Sequence, residues 1–77
     1  MNYYYWVEFE LNNSVRNETV LPLPEEMIEE HHLRVQLFAQ LILAEAEPMS
    51  RVRILDYSEP FPTFEKAFYY HINTFRN

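Results

Sequence analysis

Residues 3–11 read YYYWVEFEL, and their alternation is that of a β-strand. Tyr3, Tyr5, Val7, Phe9 and Leu11 fall on one face and Tyr4, Trp6, Glu8 and Glu10 on the other, because successive strand side chains point to opposite sides. The first set is wholly apolar or aromatic, so it marks the side that faces a core. The second set is mixed, with two aromatics followed by two carboxylates, and carries more aromatic surface than a solvated face needs.

Outward from this strand, residues 12–19, NNSVRNET, are polar and turn-prone and read as a loop. Val20-Leu21-Pro22-Leu23 is extended, since each proline restricts the residue before it, and suits a short edge strand. Pro24 fits the first turn of a helix, and Glu25, Glu26, Glu29 and Glu30 follow where the macrodipole favours negative charge. The expected helix runs to about Glu45, before Pro48, and would be roughly 33 Å long. Residues 51–57, RVRILDY, read as another strand, with Val52 and Ile54 on the core face and Arg51, Arg53, Leu55 and Tyr57 on the other. Thr63 is an expected N-cap for a second helix, whose apolar stripe is Phe64, Ala67, Phe68, His71, Ile72 and Phe75. The order β-(β)-α-β-α predicts an α+β or α/β fold. It would be a small two-layer domain, with two or three strands against one long and one shorter helix. A right-handed crossover follows if the first and last strands are parallel neighbours.

Composition narrows the chemistry. The 77 residues include no glycine, so phosphate-cradling loops, dinucleotide fingerprints and nucleophile elbows are excluded. There is no cysteine, which removes disulfides and thiolate ligands. Hydrophobic residues make up 48% of the chain, enough to build a core, and one globular domain over residues 1–77 is expected. The formal net charge of -6 disfavours direct contact with nucleic acid, whose non-specific affinity comes largely from cationic contacts to phosphate. No apolar run reaches the roughly 20 residues of a membrane span, and no basic n-region opens the chain, so a cytoplasmic location is expected.

One segment has ligand-like density. Glu29 and His32 form an ExxH pair on one side of a helix, and His71 is a candidate third ligand from the second helix. Di-iron bundles need two such pairs and zincins need histidines four apart, so no metal, cofactor or catalytic set is assigned. A solvated acidic helix start explains the segment better. Ser14, Ser50 and Ser58 have no base or oxyanion motif nearby.

Surface is the more informative feature. Projected at 100° per residue, Ile28, Val35, Ala39, Ile42 and Ala46 of the long helix face the sheet, with Phe38 and Leu43 on the flanks. Leu33, Leu37, Leu41 and Ala44 form a second ridge on the opposite side that needs cover from the second helix, another copy or a partner. On the strands, Tyr4, Trp6 and Tyr57 are expected to form an exposed aromatic surface beside ion pairs from Glu8 and Glu10 to the arginines of residues 51–57. The expected function is therefore a small, acidic, non-enzymatic interaction module that dimerises, or binds and regulates a larger protein. Its contact residues are Tyr4, Trp6, Glu25, Glu26, Glu29, Glu30, Leu33, Leu37, Leu41 and Tyr57. A sharper form is an inhibitor whose glutamates occupy the groove of a basic nucleic-acid-binding protein, by analogy of size and charge with phage-borne anti-defence proteins. The alternatives are a metal-dependent enzyme built on Glu29, His32 and His71, and a structural subunit of a homo-oligomer.

Overall fold

The computed structural model describes residues 1–13, 16–27 and 30–75, and the side chains of Met27 and of 71–75 lie outside that description. Among the described residues the chain is α+β: β1 (Asn2–Leu11), β2 (Arg16–Pro24), a 3-10 turn at Glu25–Met27, α1 (His31–Ala44), β3 (Val52–Tyr57) and α2 (Phe64–Phe75). The strands form one antiparallel sheet in the order β2-β1-β3.

The alternation of YYYWVEFEL is realised across both faces. Tyr5 and Val7 are fully buried with Leu23 and Phe38, and Tyr3, Leu21, Leu37, Ile42, Ile54 and Tyr57 pack around them, so α1 covers the odd-numbered face. On the even-numbered face, Trp6 lies against Tyr70 of α2 and Tyr4 against Phe64, with ring centroids 6.0 Å and 6.3 Å apart. Ala67 is fully buried on the same side. One helix on each face makes three layers, where two were expected. The physical reason is Trp6 itself, since a side chain that large needs its own cover.

The region 16–19, expected as loop, is strand. β2 pairs with β1 from Asn2↔Pro24 to Glu10↔Arg16. Its polar residues are tolerated because β2 is an edge strand, half solvated, where Pro22 and Pro24 also find a place. The hairpin turn needs left-handed backbone, usually a glycine position; here Asn12 and Asn13 supply it, at φ 57° and 58°. Asn12 also ties the turn to β3: its N–H donates to the carbonyl of Arg51, and its side-chain oxygen accepts from the Arg51 N–H, both at 2.8 Å.

A full-length β2 also sets the direction of β3. The chain leaves β2 beside the start of β1, and α1 carries it back to the far end. β3 therefore runs parallel to β2 and antiparallel to β1, so the crossover joins the two edge strands rather than β1 and β3. Between Glu8↔Asp56 and Phe9↔Ile54 the register shifts, leaving Leu55 as a bulge residue.

The helices follow local rules with one exception. Thr63 caps α2 as expected, its hydroxyl accepting the Lys66 N–H at 3.2 Å. α1 ends before Pro48, also as expected, but starts later: its N-cap is Glu30, without a side-chain cap bond, and Glu25 and Glu26 stand in the preceding 3-10 turn. At 14 residues α1 is about 21 Å long rather than 33 Å. After α1, Met49 turns the chain at φ 67° with its side chain 98% exposed. An unbranched side chain gains nothing in that conformation, so Met49→Gly is expected to raise stability by about 0.5–1 kcal/mol, a Tm increase of roughly 2–8 °C in a thermal melt.

Candidate functional site

Three surfaces hold the residues singled out from the sequence. The first is the start of α1 against β3. The bulge at Leu55 rotates Tyr57 to the odd-numbered face, where it stands opposite Val7. Its ring contacts Phe38 at 5.3 Å and Tyr5 at 6.2 Å, and stacks on His31 at 5.6 Å. Arg34 lies 5.5 Å above the Tyr57 ring and donates to its hydroxyl at 3.3 Å, and His31 Nδ1 shares a hydrogen bond with the same hydroxyl. Tyr57 is thus not beside Tyr4 and Trp6, as expected, but clamps the first turn of α1 to the sheet. A simple strand period could not reveal this, because a bulge inverts every residue after it.

The second surface is the outside of α2. Trp6, expected at the surface, is 2% exposed and lies beneath α2. Tyr4 is half-buried at the margin, and beside it stand Phe64, Phe68 and Tyr69, exposed by 52%, 45% and 55%. Phe64 and Phe68 stack with centroids 6.3 Å apart, and Phe68 meets Tyr69 edge-on at 5.9 Å. The helical stripe predicted for α2 holds at Ala67, but Tyr70 takes the inward place expected of Phe64 and Phe68. Trp6 is the cause: its ring and that of Phe61 meet Tyr70 at 6.0 Å and 5.5 Å. Two phenylalanines are left outside.

The third surface is α1, whose apolar residues spread around most of the helix, with His32, Gln36 and Gln40 exposed on the side away from Phe38. Phe38, expected on the flank, is the centre of its buried face and fully buried. Leu33 and Leu37 are half-buried, Leu37 packing onto the core cluster, whereas Leu41 and Leu43 are 39% and 37% exposed. Between the C-terminal half of α1 and the β1-β2 hairpin lies a groove of about 240 Å³, lined by Phe9, Leu11, Leu21, Leu41, Ile42 and Ala46 with Asn17, Thr19 and Glu45. The sequence places Phe9, Leu11, Ile42 and Ala46 on core-facing sides, Leu21 on an edge strand and Leu41 on the opposite ridge of the helix, and the structure brings all six to one groove.

The charged residues are mostly solvated. Glu25, Glu26 and Glu30 are exposed, and Glu29 lies outside the described residues. Glu10 pairs with Arg53 of β3 at 3.0 Å, as expected, whereas Glu8 pairs with Arg16 of β2 at 3.3 Å. Of the metal candidates, Glu29 and the His71 side chain lie outside the description, and His32 is exposed beside His31. Among the described residues no group of three histidine, cysteine or acidic side chains is placed to hold a metal ion. Ser58 is buried and its hydroxyl is committed, accepting from the Trp6 N–H at 3.0 Å and donating to the Glu59 carbonyl at 2.8 Å. No described helix is long and apolar enough to cross a membrane. The chain matches no protein-family model, no curated protein and no solved structure.

Proposed function

We propose that the protein is a non-enzymatic binding module that regulates or inhibits a larger protein through the aromatic surface of α2. The observation that carries this reading is the contiguous group Tyr4, Phe64, Phe68 and Tyr69, three of whose rings are about half exposed. Aromatic side chains of this kind dominate interface hot spots, and a folded chain gains little from leaving them in water. Sheet edges are poor alternatives for contact. β2 carries Pro22 and Pro24, and on β3 the Asp56 carboxylate takes the Tyr57 N–H at 2.8 Å beside the bulge. Faces, not edges, are left for recognition. Glu25, Glu26 and Glu30, exposed on the stretch that leads into α1, add a separate negative surface, and an inhibitor of a basic nucleic-acid-binding protein is the form of partner that this charge suits.

The test is capture of the partner from the native host by wild type and by a Phe68→Glu/Tyr69→Ala variant. These side chains are surface-exposed, so the variant is expected to keep the wild-type circular dichroism and to lose binding by about 30-fold or more, the effect of a hot spot. A salt series on the captured complex then reads the contribution of these glutamates: affinity should fall steeply with ionic strength. Unchanged capture by the variant would remove the aromatic surface from the reading. A wild-type dimer in light scattering that dissociates in the same variant would assign that surface to a second copy.

A further inference from the structure

The groove beside the C-terminus of α1 has a shape and a charge that folding does not account for. At about 240 Å³ it is smaller than the roughly 300–1,000 Å³ clefts that take cofactors and drug-sized ligands, and is of a size for one large side chain. Its walls are apolar and come from two elements, Leu21 on the hairpin and Leu41, Ile42 and Ala46 on α1 and just beyond it. Of its polar lining residues, Asn17, Thr19 and Glu45, the charged one is negative. Glu45 is the C-cap of α1 and lines the groove, Glu47 is exposed next to it, and the last turn of α1 carries no basic residue. A helix C-terminus bears partial negative charge and is stabilised by cations, so two carboxylates there repel the carbonyls they stand beside. Glu30 at the other end of α1 has the dipole as its explanation; Glu45 and Glu47 have none. Nor does the chain neutralise them: no ion pair reaches either among the described residues, Arg16 and Arg53 being held by Glu8 and Glu10.

An apolar slot for one side chain, with Glu45 at its rim and Glu47 and the negative end of α1 beside it, is complementary to a cationic amphipathic segment. We propose that the groove is an anchor site for such a segment of a protein partner. One large apolar or aromatic side chain seats against Leu21, Leu41 and Ile42, while flanking lysine or arginine side chains meet Glu45, Glu47 and the end of α1. The inference rests on the reading of the chain as a protein-binding module, but its site is on the face of the sheet opposite the α2 aromatics. A second copy of this chain is the poorer occupant, because a two-fold contact at the groove would bring Glu45 and Glu47 of both copies together.

The experiment uses the full chain and a fluorescein-labelled amphipathic Lys/Leu helix with one tryptophan, followed by anisotropy. Wild type should bind this probe saturably. Probes with glutamate for lysine, or alanine for the tryptophan, should bind about tenfold more weakly or not at all. Glu45→Lys/Glu47→Lys, at solvent-exposed positions, should lose about tenfold in affinity and most of its salt dependence. Ala46→Phe, which fills the groove from within, should match that loss, with circular dichroism confirming its fold. No binding of the basic probe to wild type, equal binding of the acidic probe, or unchanged binding to the charge-reversed variant overturns the proposal. So does a wild-type dimer that Ala46→Phe dissociates. If probe binding is lost instead in Phe68→Glu/Tyr69→Ala, the groove is wrong and the α2 surface stands; if the groove variants alone lose the probe while host capture is indifferent to the α2 variant, the reverse holds.

Discussion

Phe38→Ala is expected to unfold most of the population at room temperature. Phe38 is the fully buried residue of α1, meeting Tyr5 edge-on at 5.2 Å and Tyr57 at 5.3 Å, so its ring joins the helix to two strands at once. Removing a buried phenylalanine costs about 3–5 kcal/mol, and lost aromatic geometry adds to that. A chain of 77 residues has a total stability of roughly 4–12 kcal/mol, and its small core places it in the lower part of that range. Urea denaturation followed by circular dichroism reads the result: the variant should show little or no folded baseline, whereas Leu43→Ala, at a 37% exposed position, should shift the midpoint only slightly. A Phe38→Ala midpoint within about 1 kcal/mol of wild type would mean that α1 is not what covers the odd-numbered face.

The contrast between Phe38 and Leu43 shows what was legible in the sequence. The strand period of residues 3–11 placed Tyr5 and Val7 correctly on the α1 side, and the Thr63 cap and Pro48 stop located helix ends, because each is a local signal read within a few residues. α1 is different. Its polar residues His32, Gln36 and Gln40 lie opposite Phe38 and around Leu43, but His31 and Arg34 sit beside Phe38 and blur that signal, so a stripe drawn through the apolar residues alone puts Phe38 and Leu43 both on its flanks. The sheet decides between them, by offering Tyr5 and Tyr57 to Phe38. The position of Tyr57 depends in turn on one unpaired residue, Leu55, which no alternation pattern discloses. The candidate surfaces inherit the same limits. Tyr4 stays at the margin of an aromatic surface as read from the strand, but Trp6 leaves it for the interior, and Phe64 and Phe68 take its place because Tyr70 fills the space over the tryptophan.

Tyr5→Phe is expected to make the protein more stable, by about 1–3 kcal/mol. The Tyr5 ring is a core element, fully buried between Phe38 and Tyr57, and phenylalanine keeps every one of those contacts. Its hydroxyl is another matter: it is buried and has no hydrogen-bond partner among the described residues. A buried hydroxyl without a partner costs about 1–3 kcal/mol relative to water, and exchanging it for hydrogen removes that cost without opening a cavity. The same hydroxyl supplies a pH signature. Burial pushes its ionisation above the ordinary tyrosine value of 10.0; the Arg34 charge pulls the other way by less, and Tyr57 adds a still smaller upward push. The folded state then holds the phenolic proton more tightly than the unfolded state does. Stability from this group is fully present below pH 10.0 and is lost as pH rises through and beyond that value. Denaturant midpoints taken from neutral pH to the alkaline limit should therefore fall less steeply for Tyr5→Phe than for wild type, with the variant the more stable at every pH. A destabilised variant would show instead that the Tyr5 hydroxyl has a partner in solution, and the neighbourhood of part-buried Arg34, whose buried Nε is likewise without one among the described residues, would be the place to look for it.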